Sequence, residues 1–303
     1  MAFDGHIHTG RRRHMRWARE SSRGVLPPGP DWRCIPIQDG VMGLKAAAPL
    51  WAPHTQYGGF RRAVLLPEFV RVAGAALTLA WPQVTGYLLE AALARVSDPA
   101  SPDYQDLPTY GVDFFTPADA RRCRGVVVER LRLVADPAAV ALALDLRAWK
   151  EEANEELMAD DFDYEGLSPV PFRLVGAQVS LDGEAVADVE TFTLSVRNEV
   201  GEGPNAGGAA AWLIAARRSV RLELTKLDAT DLFNAALREG ATVSFSAAFD
   251  HPEGHELTLS APVLCAVRSD EDAPPQRIAR TRAVLEARTD AEGRDVTYAL
   301  TLV

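Results

Sequence analysis

Apolar and polar residues alternate along much of this chain, and the alternation predicts a protein built mainly from β-strands. In residues 191–197, Phe192, Leu194 and Val196 alternate with hydroxyl-bearing and arginine side chains. This period of two gives a strand one apolar face and one hydrated face. Alternation or short apolar runs predict further strands at Trp32–Ile37, Glu68–Ala80, Tyr110–Phe115, Gly125–Val134, Ala139–Trp149, Arg218–Leu227, Thr242–Phe249, Glu256–Leu264, Ile278–Arg288 and Arg294–Val303.

The most strongly patterned stretch is Phe172–Asn198, which predicts a long β-hairpin. Asp182-Gly183 suits a two-residue primed turn, because both residue types tolerate a positive φ. Arms of roughly ten residues would exceed the usual strand length of about 5–6 residues. Such a hairpin has unpaired edges and an apolar face, so it needs strand partners from this chain or from neighbouring chains.

Two segments with helical spacing, Pro82–Val96 and Asp228–Glu239, predict one helix in each half of the chain. Within them, Tyr87–Leu93 (YLLEAAL) and Asp231–Leu237 (DLFNAAL) share leucine and alanine positions, and each follows a predicted strand. Each half is also predicted to end on a hairpin. The shared order of elements predicts that the chain is an internal duplication.

The predicted organisation has four parts. Residues 1–24 are basic and irregular and are predicted to form an N-terminal arm. Residues 25–150 would form a first β-sandwich and residues 172–303 a second, each with one helix. Residues 151–171 include an acidic run that is typical of a solvated linker. Gly40–Arg62 is predicted to be a long connection of the kind that commonly contacts a partner.

Composition reduces the number of functional classes to which the protein can belong. The chain of 303 residues has 47% hydrophobic residues and a formal net charge of −10 at pH 7. An acidic protein is not expected to bind nucleic acid by neutralising its phosphates. No stretch approaches the roughly 18 apolar residues of a membrane span, and no secretory signal is recognisable. Three widely separated cysteines, Cys34, Cys123 and Cys265, predict free thiols made in a reducing compartment.

The N-terminal motif His6-Ile7-His8 resembles the His-x-His metal motif of the amidohydrolase superfamily. Two imidazoles at strand spacing point the same way and could share a metal ion. Because no apolar strand precedes the motif and no succession of strands and helices follows, a parallel barrel is not predicted. A metal-dependent hydrolase that uses His6 and His8 is therefore the alternative from a different functional class.

No other candidate completes a reactive site in the sequence. His251 and His255 flank a predicted turn, and neither Asp145 nor Asp188 has a base or nucleophile that the sequence places beside it. The glycine-rich stretch Gly201–Gly208 lacks the Lys-Ser/Thr of a phosphate loop. The sequence therefore predicts no catalytic, cofactor-binding or metal-ligating residues and no enzymatic activity.

Several segments, taken in order, resemble the tail tube proteins (major tail proteins) of long-tailed, non-contractile bacteriophages. They are Arg19-Glu20 with Gly24, Trp32–Ile37, Cys123–Val128 with the strands that follow it to Leu146, Phe172–Asn198, Arg218–Ala236 and Asp295–Val303. Phe172–Asn198 is the most specific part of the resemblance. The resemblance implies a mainly β fold: a duplicated tail-tube-type β-sandwich with one α-helix per sandwich, whose strands line a tube.

The resemblance also implies a function. Such proteins are structural virion components that polymerise into stacked rings, and DNA passes through the tube into the host without specific binding. Duplicated members form three-chain rings of pseudo-hexameric shape. The expected partners are other copies of the chain, the tape measure protein, the tail terminator and tip or baseplate proteins, with no cofactor and no membrane.

The same resemblance implies synthesis in the host cytoplasm and a final location in the virion tail. An alternative within the same structural class is the inner tube protein of a contractile injection machine. That class uses the same sandwich in shorter chains, so the length and the apparent duplication of this chain favour the non-contractile tail.

Overall fold

The computed structural model describes residues 13–46, 70–93, 107–117, 119–186, 188–204, 210–227, 232–272, 280–289 and 294–303. Within these residues, sixteen strands and two α-helices form a mainly β protein in which every strand pairing is antiparallel. This confirms the mainly β fold expected from the alternating pattern. No helix in the described part of the chain has the length and apolar character needed to cross a membrane.

Each half of the chain contains eight strands and one helix. The first half comprises β1 (His14–Arg19), β2 (Arg33–Ile35), β3 (Ile37–Ala46), β4 (Val70–Leu79), α1 (Pro82–Leu93), β5 (Tyr110–Thr116), β6 (Asp119–Ala135), β7 (Val140–Ala148) and β8 (Lys150–Ala153). The second half comprises β9 (Gln178–Leu181), β10 (Glu184–Ala185), β11 (Val189–Pro204), β12 (Ala210–Leu227), α2 (Leu232–Glu239), β13 (Thr242–Asp250), β14 (Glu256–Asp272), β15 (Arg280–Ala287) and β16 (Thr297–Thr301). A short 3-10 helix, Ala159–Asp161, lies between the halves.

The two halves pair their strands in the same way. β5 lies between β1 and β6, as β13 lies between β9 and β14. β7 lies between β4 and β6, as β15 lies between β12 and β14. The peripheral pairs match as well: β1·β2, β3·β4 and β6·β8 correspond to β9·β10, β11·β12 and β14·β16. We call β1–β8 with α1 the first repeat, and β9–β16 with α2 the second repeat.

The irregularities of strand register recur at matching places. In the first repeat they follow Ile37 in β3, Tyr110 in β5 and Val128 in β6. In the second repeat the matching irregularities follow Val189 in β11, Val243 in β13 and Ala266 in β14, and β11 has two more, after Glu199 and Gly203, beyond the length of β3 that the structure describes. A bulge fixes the register on both of its sides, and a slip of one residue would invert the faces of a strand. The shared bulges therefore give a residue-by-residue correspondence between the repeats.

One hydrophobic core extends through both repeats. The first part of β6 pairs with β5 and β8, whereas its second part pairs with β7 and β11. Inward side chains from both regions, such as Trp17 of β1 and Leu131 of β6, belong to the same buried cluster. Helix α1 contributes Leu88 and Leu89, both fully buried, to this cluster. The apolar side of the sheet is therefore covered by the helix and the outer strands.

The long hairpin predicted at Phe172–Asn198 is only partly correct. Asp182 and Gly183 do form a turn with positive φ at both residues, 51° and 79°. That turn joins only the short strands β9 and β10. Strand β11 instead lies between β12 and β6, because these strands offer a much longer ladder of backbone hydrogen bonds than β9 does.

Residues 1–24 are irregular by sequence pattern, but His14–Arg19 form β1. Met15 and Trp17 point inward and are fully buried. The outward residues Arg16 and Arg19 make ion pairs with carboxylates of β5 and α1. The density of arginines conceals the period of two in the sequence. Residues 1–12, including His6 and His8, lie outside the described residues.

Three further predictions are corrected by the strand assignments. Residues 40–46 belong to β3, so the predicted connection Gly40–Arg62 begins as a strand, and residues 47–62 lie outside the described part. Residues 201–204 belong to β11 and are not a loop. The final two strands do not pair with each other, because β16 pairs with the first part of β14 and β15 pairs with its last part.

Candidate functional site

A broad polar surface lies on the side of β7, β6, β11, β12 and β15 that faces away from the core. In β11 the inward residues Leu194 and Val196 are buried, whereas Ser195 and Arg197 point to the opposite side. The same alternation runs through the neighbouring strands of the sheet. We call this surface the polar face, and its hydrated character agrees with the pattern at residues 191–197.

Cross-strand ion pairs occupy much of the polar face. Arg147 donates to Glu129 at 2.8 Å, and Arg282 donates to Glu223 at 2.8 Å. The hydrogen bond from Arg282 lowers the pKa of the Glu223 carboxyl below its ordinary value. Pairs that water reaches contribute little stability, typically up to about 1 kcal/mol each. Their main consequence is a face of mixed charge with no apolar patch at its centre.

The repeats join edge to edge where β6 pairs with β11. Residues 130–135 of β6 pair with residues 192–197 of β11 in one antiparallel ladder. The joint makes β3, β4, β7, β6, β11, β12, β15 and β14 one continuous sheet. The polar face therefore runs without interruption from the first repeat to the second.

A buried polar contact locks this joint. Asn198 follows Phe192, Leu194 and Val196 on the inward side of β11 and is 1% exposed. Its Nδ2 donates to the carbonyl oxygens of Ala92 and Val128, both at 3.0 Å. The Ala92 carbonyl lies in the last turn of α1, where carbonyls lack partners within the helix. The second repeat thus completes the hydrogen bonding of a helix that belongs to the first.

Helix α1 also packs against the end of the second repeat. Gly86 lies so close to Leu300 of β16 that a Cβ at this position would be 2.5 Å from its Cδ2. Gln83 accepts a hydrogen bond from the backbone N–H of Ser168 in the segment between the repeats. These contacts hold the two repeats in one arrangement around α1.

Two strands of the continuous sheet keep an open edge within the part of the chain that the structure describes. β3 pairs only with β4, and β14 beyond Cys265 pairs only with β15. By the correspondence between repeats, β3 matches β11 and β14 matches β6. The two open edges, on β3 and β14, therefore correspond to β11 and β6, which are the two strands that pair at the joint between the repeats.

A charged cluster on the outer strands of the first repeat involves the fully buried side chain of Asp113. Arg16 donates to Asp113 at 2.9 Å, and Arg122 donates to it at 2.7 Å. The hydrogen bond to Asp113 raises the pKa of the Arg122 guanidinium. The ring of Trp32 lies 4.7 Å from the Arg16 guanidinium, close enough for a cation–π contact.

The acidic segment after β8 covers this cluster. Arg16 donates to the carbonyl oxygen of Asp161 at 3.0 Å, and its guanidinium lies 5.5 Å from the ring of Phe162. Leu157 and Phe162 are buried, whereas the carboxylates of the segment point mostly to solvent. The segment predicted to be a solvated linker is therefore anchored to the first repeat by two apolar residues.

Among the described residues, one group has the composition of a metal site: His251, Glu253 and His255, whose ligand atoms lie within 4.8 Å of one another. His251 Nδ1 accepts from the N–H of Glu253 at 3.2 Å, and its Nε2 lies 2.9 Å from the carbonyl oxygen of Val170. His255 Nδ1 accepts from the N–H of Val303 at 3.1 Å. Contacts within the protein therefore already engage the Nδ1 atom of each ring, and His251 Nε2 faces a carbonyl oxygen. The group fits a packing role at the β13–β14 turn, with the two rings stacked at 5.2 Å.

The other sequence candidates are not brought together into a reactive site. Asp145 is about half exposed, 3.6 Å from Arg130 on the polar face, and Asp188 is exposed in the turn before β11. Burial raises the pKa of the Cys123 thiol to about 12 and raises that of Cys34, which keeps both thiols protonated and unreactive at neutral pH.

Asn198 and Asp113 are not among the residues predicted from the sequence, and only Asn198 carries a recognisable signal. Asn198 continues the inward positions of a strictly alternating strand, whereas Asp113 lies between Val112 and Phe114 and so falls on the side that the alternation assigns to solvent. A polar residue at a position that the pattern assigns to the core must find a partner there, or its burial would cost free energy. Such a position indicates a specific buried contact from the sequence alone.

The comparison with protein families agrees with the mainly β fold. The family model described as phage tail tube protein matches residues 10–293. No curated protein sequence matches the chain. The matched range includes nearly all of both repeats and the whole joint between them. The chain therefore belongs to the phage tail tube protein family.

Proposed function

We propose that three copies of this chain close into a ring, that the rings stack into a tail tube, and that the tube conducts DNA into the host. Membership of the family makes the chain a structural component of the virion tail. The observation that supports ring closure is the pair of open edges on β3 and β14. A seam between chains that repeats the internal joint would satisfy both edges at once.

The correspondence between repeats gives an expected register for this seam. At the internal joint, Ser195 of β11 pairs with Arg132 of β6. Counted from the shared bulges, the matching positions are Gly43 in β3 and Asp270 in β14. In the proposed ring, Gly43 of one chain therefore lies opposite Asp270 of the next chain.

The number of chains follows from the duplication. Each chain supplies two repeats, and the resemblance to duplicated tail tube proteins implies a three-membered ring of pseudo-sixfold shape. Three chains would contribute six repeats, with internal joints and inter-chain seams alternating around the ring. At the internal joint, Arg218 of β12 donates to Asn198 Oδ1 at 3.0 Å, whereas the positions that match Asn198 and Arg218 are Ala46 and Val70, so the two kinds of contact differ. The inter-chain seam therefore lacks the amide and guanidinium that lock the internal joint.

The polar face is the proposed inner wall of the tube. Closing the sheet into a ring leaves one face inside and one outside. The apolar side is covered by α1 and the outer strands, and it belongs to the core. The polar face is open and hydrated, which suits a water-filled channel.

The proposed role is purely structural, without catalysis, in a long non-contractile tail. Two repeats in one chain, β1–β8 with α1 and β9–β16 with α2, support this assignment over the shorter inner tube proteins of contractile machines. The acidic segment after β8 would connect the two repeats, and the residues before β1 would act as an arm. Tape measure, terminator and tip proteins would meet the tube at its lumen and its two ends.

A disulfide trap tests the proposed seam. Gly43→Cys and Asp270→Cys are combined in a chain whose Cys34 and Cys265 are changed to serine, and the assembled protein is oxidised. Opposed residues on antiparallel strands fall within the Cα separation of about 4.4–6.8 Å that a disulfide requires. We expect a covalent ladder on a non-reducing gel that ends at three chains.

The controls show whether cross-linking depends on the expected strand register or only on two cysteines being near each other. Each single-cysteine chain should stay monomeric on the gel, and Gly43→Cys with Arg268→Cys should cross-link poorly, because diagonal positions lie about 7–8 Å apart. A ladder that reaches six chains would contradict the three-chain ring. Assembled tubes without any covalent product would contradict the β3–β14 seam.

A further inference from the structure

We propose that four arginines at the centre of the polar face bind phosphate groups of double-stranded DNA. This arginine patch consists of Arg130 and Arg132 in β6, Arg197 in β11 and Arg221 in β12, and all four residues are exposed. They line one groove of about 730 Å³. The patch is not recognisable in the sequence, because its members lie up to 91 positions apart along the chain.

Strand register brings the four guanidinium groups together. Arg130 lies directly opposite Arg197 across the joint. Arg132 and Arg221 are the two cross-strand neighbours of Ser195, one on each side. Neighbouring strands lie about 4.8 Å apart and alternate residues about 7 Å apart, so the patch spans about 10 Å by 7 Å of sheet. Like charges directly opposite each other destabilise a sheet, and an anion between them would relieve that repulsion.

Three carboxylates lie beside the patch and neutralise part of its charge: Asp145, Glu223 and Glu286, the last of which lies directly opposite Arg221 on β15 and lines the same groove. Asp145 is 3.6 Å from Arg130, in a pair that is about half exposed on both sides. Glu223 is 3.4 Å from Arg221, but it also accepts the shorter bond from Arg282 described above. Both contacts are screened by water and are easily exchanged for a stronger anion.

Within the part of the chain that the structure describes, the side chains of the remaining two arginines, Arg132 and Arg197, make no hydrogen bond or ion pair and are open to a ligand. Arg132 nevertheless lies near enough to Glu223 to contribute, beside the hydrogen bond from Arg282, to the lowered pKa of that carboxyl. The positive charge of the two arginines contrasts with the formal net charge of −10 of the whole chain. The proposed contact would be a local exception to the sequence-based expectation that an acidic protein makes no phosphate contacts.

Duplex DNA has the chemistry that this patch fits. A guanidinium binds phosphate oxygens with two parallel hydrogen bonds, which gives arginine its preference for phosphate. DNA carries about one negative charge per 1.7 Å of helix axis, so several phosphates can reach one patch. In the described residues the polar face is built from strands and has no element that could enter a DNA groove, so the contact would be independent of base sequence. The placement of the patch on DNA's path rests on the proposed tube function, whereas phosphate binding by the single chain does not.

Fluorescence anisotropy of a labelled 20-base-pair duplex, titrated with the full chain before assembly, tests the proposal at 50 and 200 mM salt. The native chain should bind, with affinity falling steeply as salt rises. Arg132→Gln with Arg197→Gln should weaken binding at 50 mM salt by about tenfold or more. It should also lower the slope of log K against log salt by about two.

A matched control variant distinguishes the effect of the arginine patch from the effect of a changed net charge. Arg33→Gln with Arg238→Gln removes the same charge at exposed positions outside the polar face, and it should change the affinity less than about twofold. Equal losses in the two double variants would overturn the proposal, as would a native chain that fails to bind at 50 mM salt. Competition by a poly-glutamate peptide as strong as that by DNA would overturn the phosphate assignment. If DNA binding fails while the disulfide trap gives trimers, the patch proposal falls and the tube function stands.

Discussion

The two repeats place different chemistry at one matching row of the outer strands. In the first repeat, Arg16, Asp113 and Arg122 occupy neighbouring positions across β1, β5 and β6. The matching row across β9, β13 and β14 is Ser180, Ser246 and Ser260. One row is an ion cluster around a fully buried carboxylate, and the other is three partly buried hydroxyl groups. The strand pairings around both rows are nevertheless the same.

This difference indicates that the residues of this row do not determine which strands pair. What the repeats share is the alternation of inward apolar residues and the position of the bulges, and these fix partner and register. The charged row has an additional task, since Arg16 binds the Asp161 carbonyl and so anchors the segment that leads to the second repeat. The three serines of the matching row are uncharged, so that row needs no counter-ion.

The largest expected effect comes from removing the centre of the charged row. Asp113→Ala would leave Arg16 and Arg122 facing each other without a counter-charge in a largely buried place. Breaking a buried ion pair in this way typically costs about 3–5 kcal/mol. Urea unfolding of the unassembled chain should show a loss of that size in the free energy of unfolding.

Two variants sharpen this test. Ser246→Ala, at the matching position of the second repeat, should cost less than about 1 kcal/mol. Replacing Arg16, Asp113 and Arg122 together by serine should be less destabilising than Asp113→Ala alone, because no charge is left unpaired. If Asp113→Ala costs no more than Ser246→Ala, the cluster has no special role in stability.

The second largest loss of stability is expected at a bulge whose backbone conformation differs between the two repeats. Gly125 in β6 has φ 62°, and a Cβ there would lie 2.7 Å from the Cβ of Trp149. Its counterpart in β14 is Val263, which has an ordinary negative φ. Gly125→Ala should therefore destabilise the chain by about 3 kcal/mol, from the strained φ and the contact together.

Gly183→Ala is the control for the Gly125 variant. Gly183 also has a positive φ, 79°, but no atom lies within 4 Å of the place that a Cβ would occupy. Its substitution should cost only the backbone term of about 1–2 kcal/mol. Thermal unfolding that places the two variants at the same midpoint would contradict a steric role for Trp149.

Sequence reasoning identified strand positions better than strand partners. The strict alternation of β7 and β13 fixed both strands, and the Asp182-Gly183 turn was found from its residue types. The predicted partner of β11, the other arm of the Phe172–Asn198 hairpin, was wrong. A period of two defines the faces of a strand but not which distant strand lies beside it. The hydrated face was predicted from residues 191–197. Its arginine patch was not, because Arg130 and Arg197 meet only through the register of the joint.

A smaller effect is expected at the joint between the repeats. Asn198→Ala, which introduces the residue found at the matching position of β3, leaves the carbonyls of Ala92 and Val128 without their buried donor. Losses of this kind are about 1–3 kcal/mol, and we expect about 2 kcal/mol. Ser195→Ala, on the polar side of the same strand, should stay within about 0.5 kcal/mol. Equal urea midpoints for the two variants would mean that the hydrogen bonds of Asn198 do not stabilise the joint.

The smallest expected effect is a change in pH dependence at the edge of the charged row. His14 packs against Phe162 at 5.1 Å and Tyr164 at 5.9 Å, and burial lowers its pKa below the ordinary value of 6.5. The unfolded chain therefore takes up this proton at a higher pH than the folded chain does. It follows that the contribution of His14 to stability is complete above about pH 6.5 and declines as the pH falls through its folded pKa.

The matching residue of the second repeat is Gln178, which does not titrate. His14→Gln should therefore make the free energy of unfolding less dependent on pH between about 7 and 5.5, by a fraction of one proton. The comparison needs urea unfolding of both chains at the two pH values, since the buried cluster at His251 and His255 is the same in each. An unchanged or steeper slope in the variant would mean that His14 is not held neutral by its burial. A flatter slope would assign part of the acid sensitivity to the first repeat, where the anchored segment covers β1.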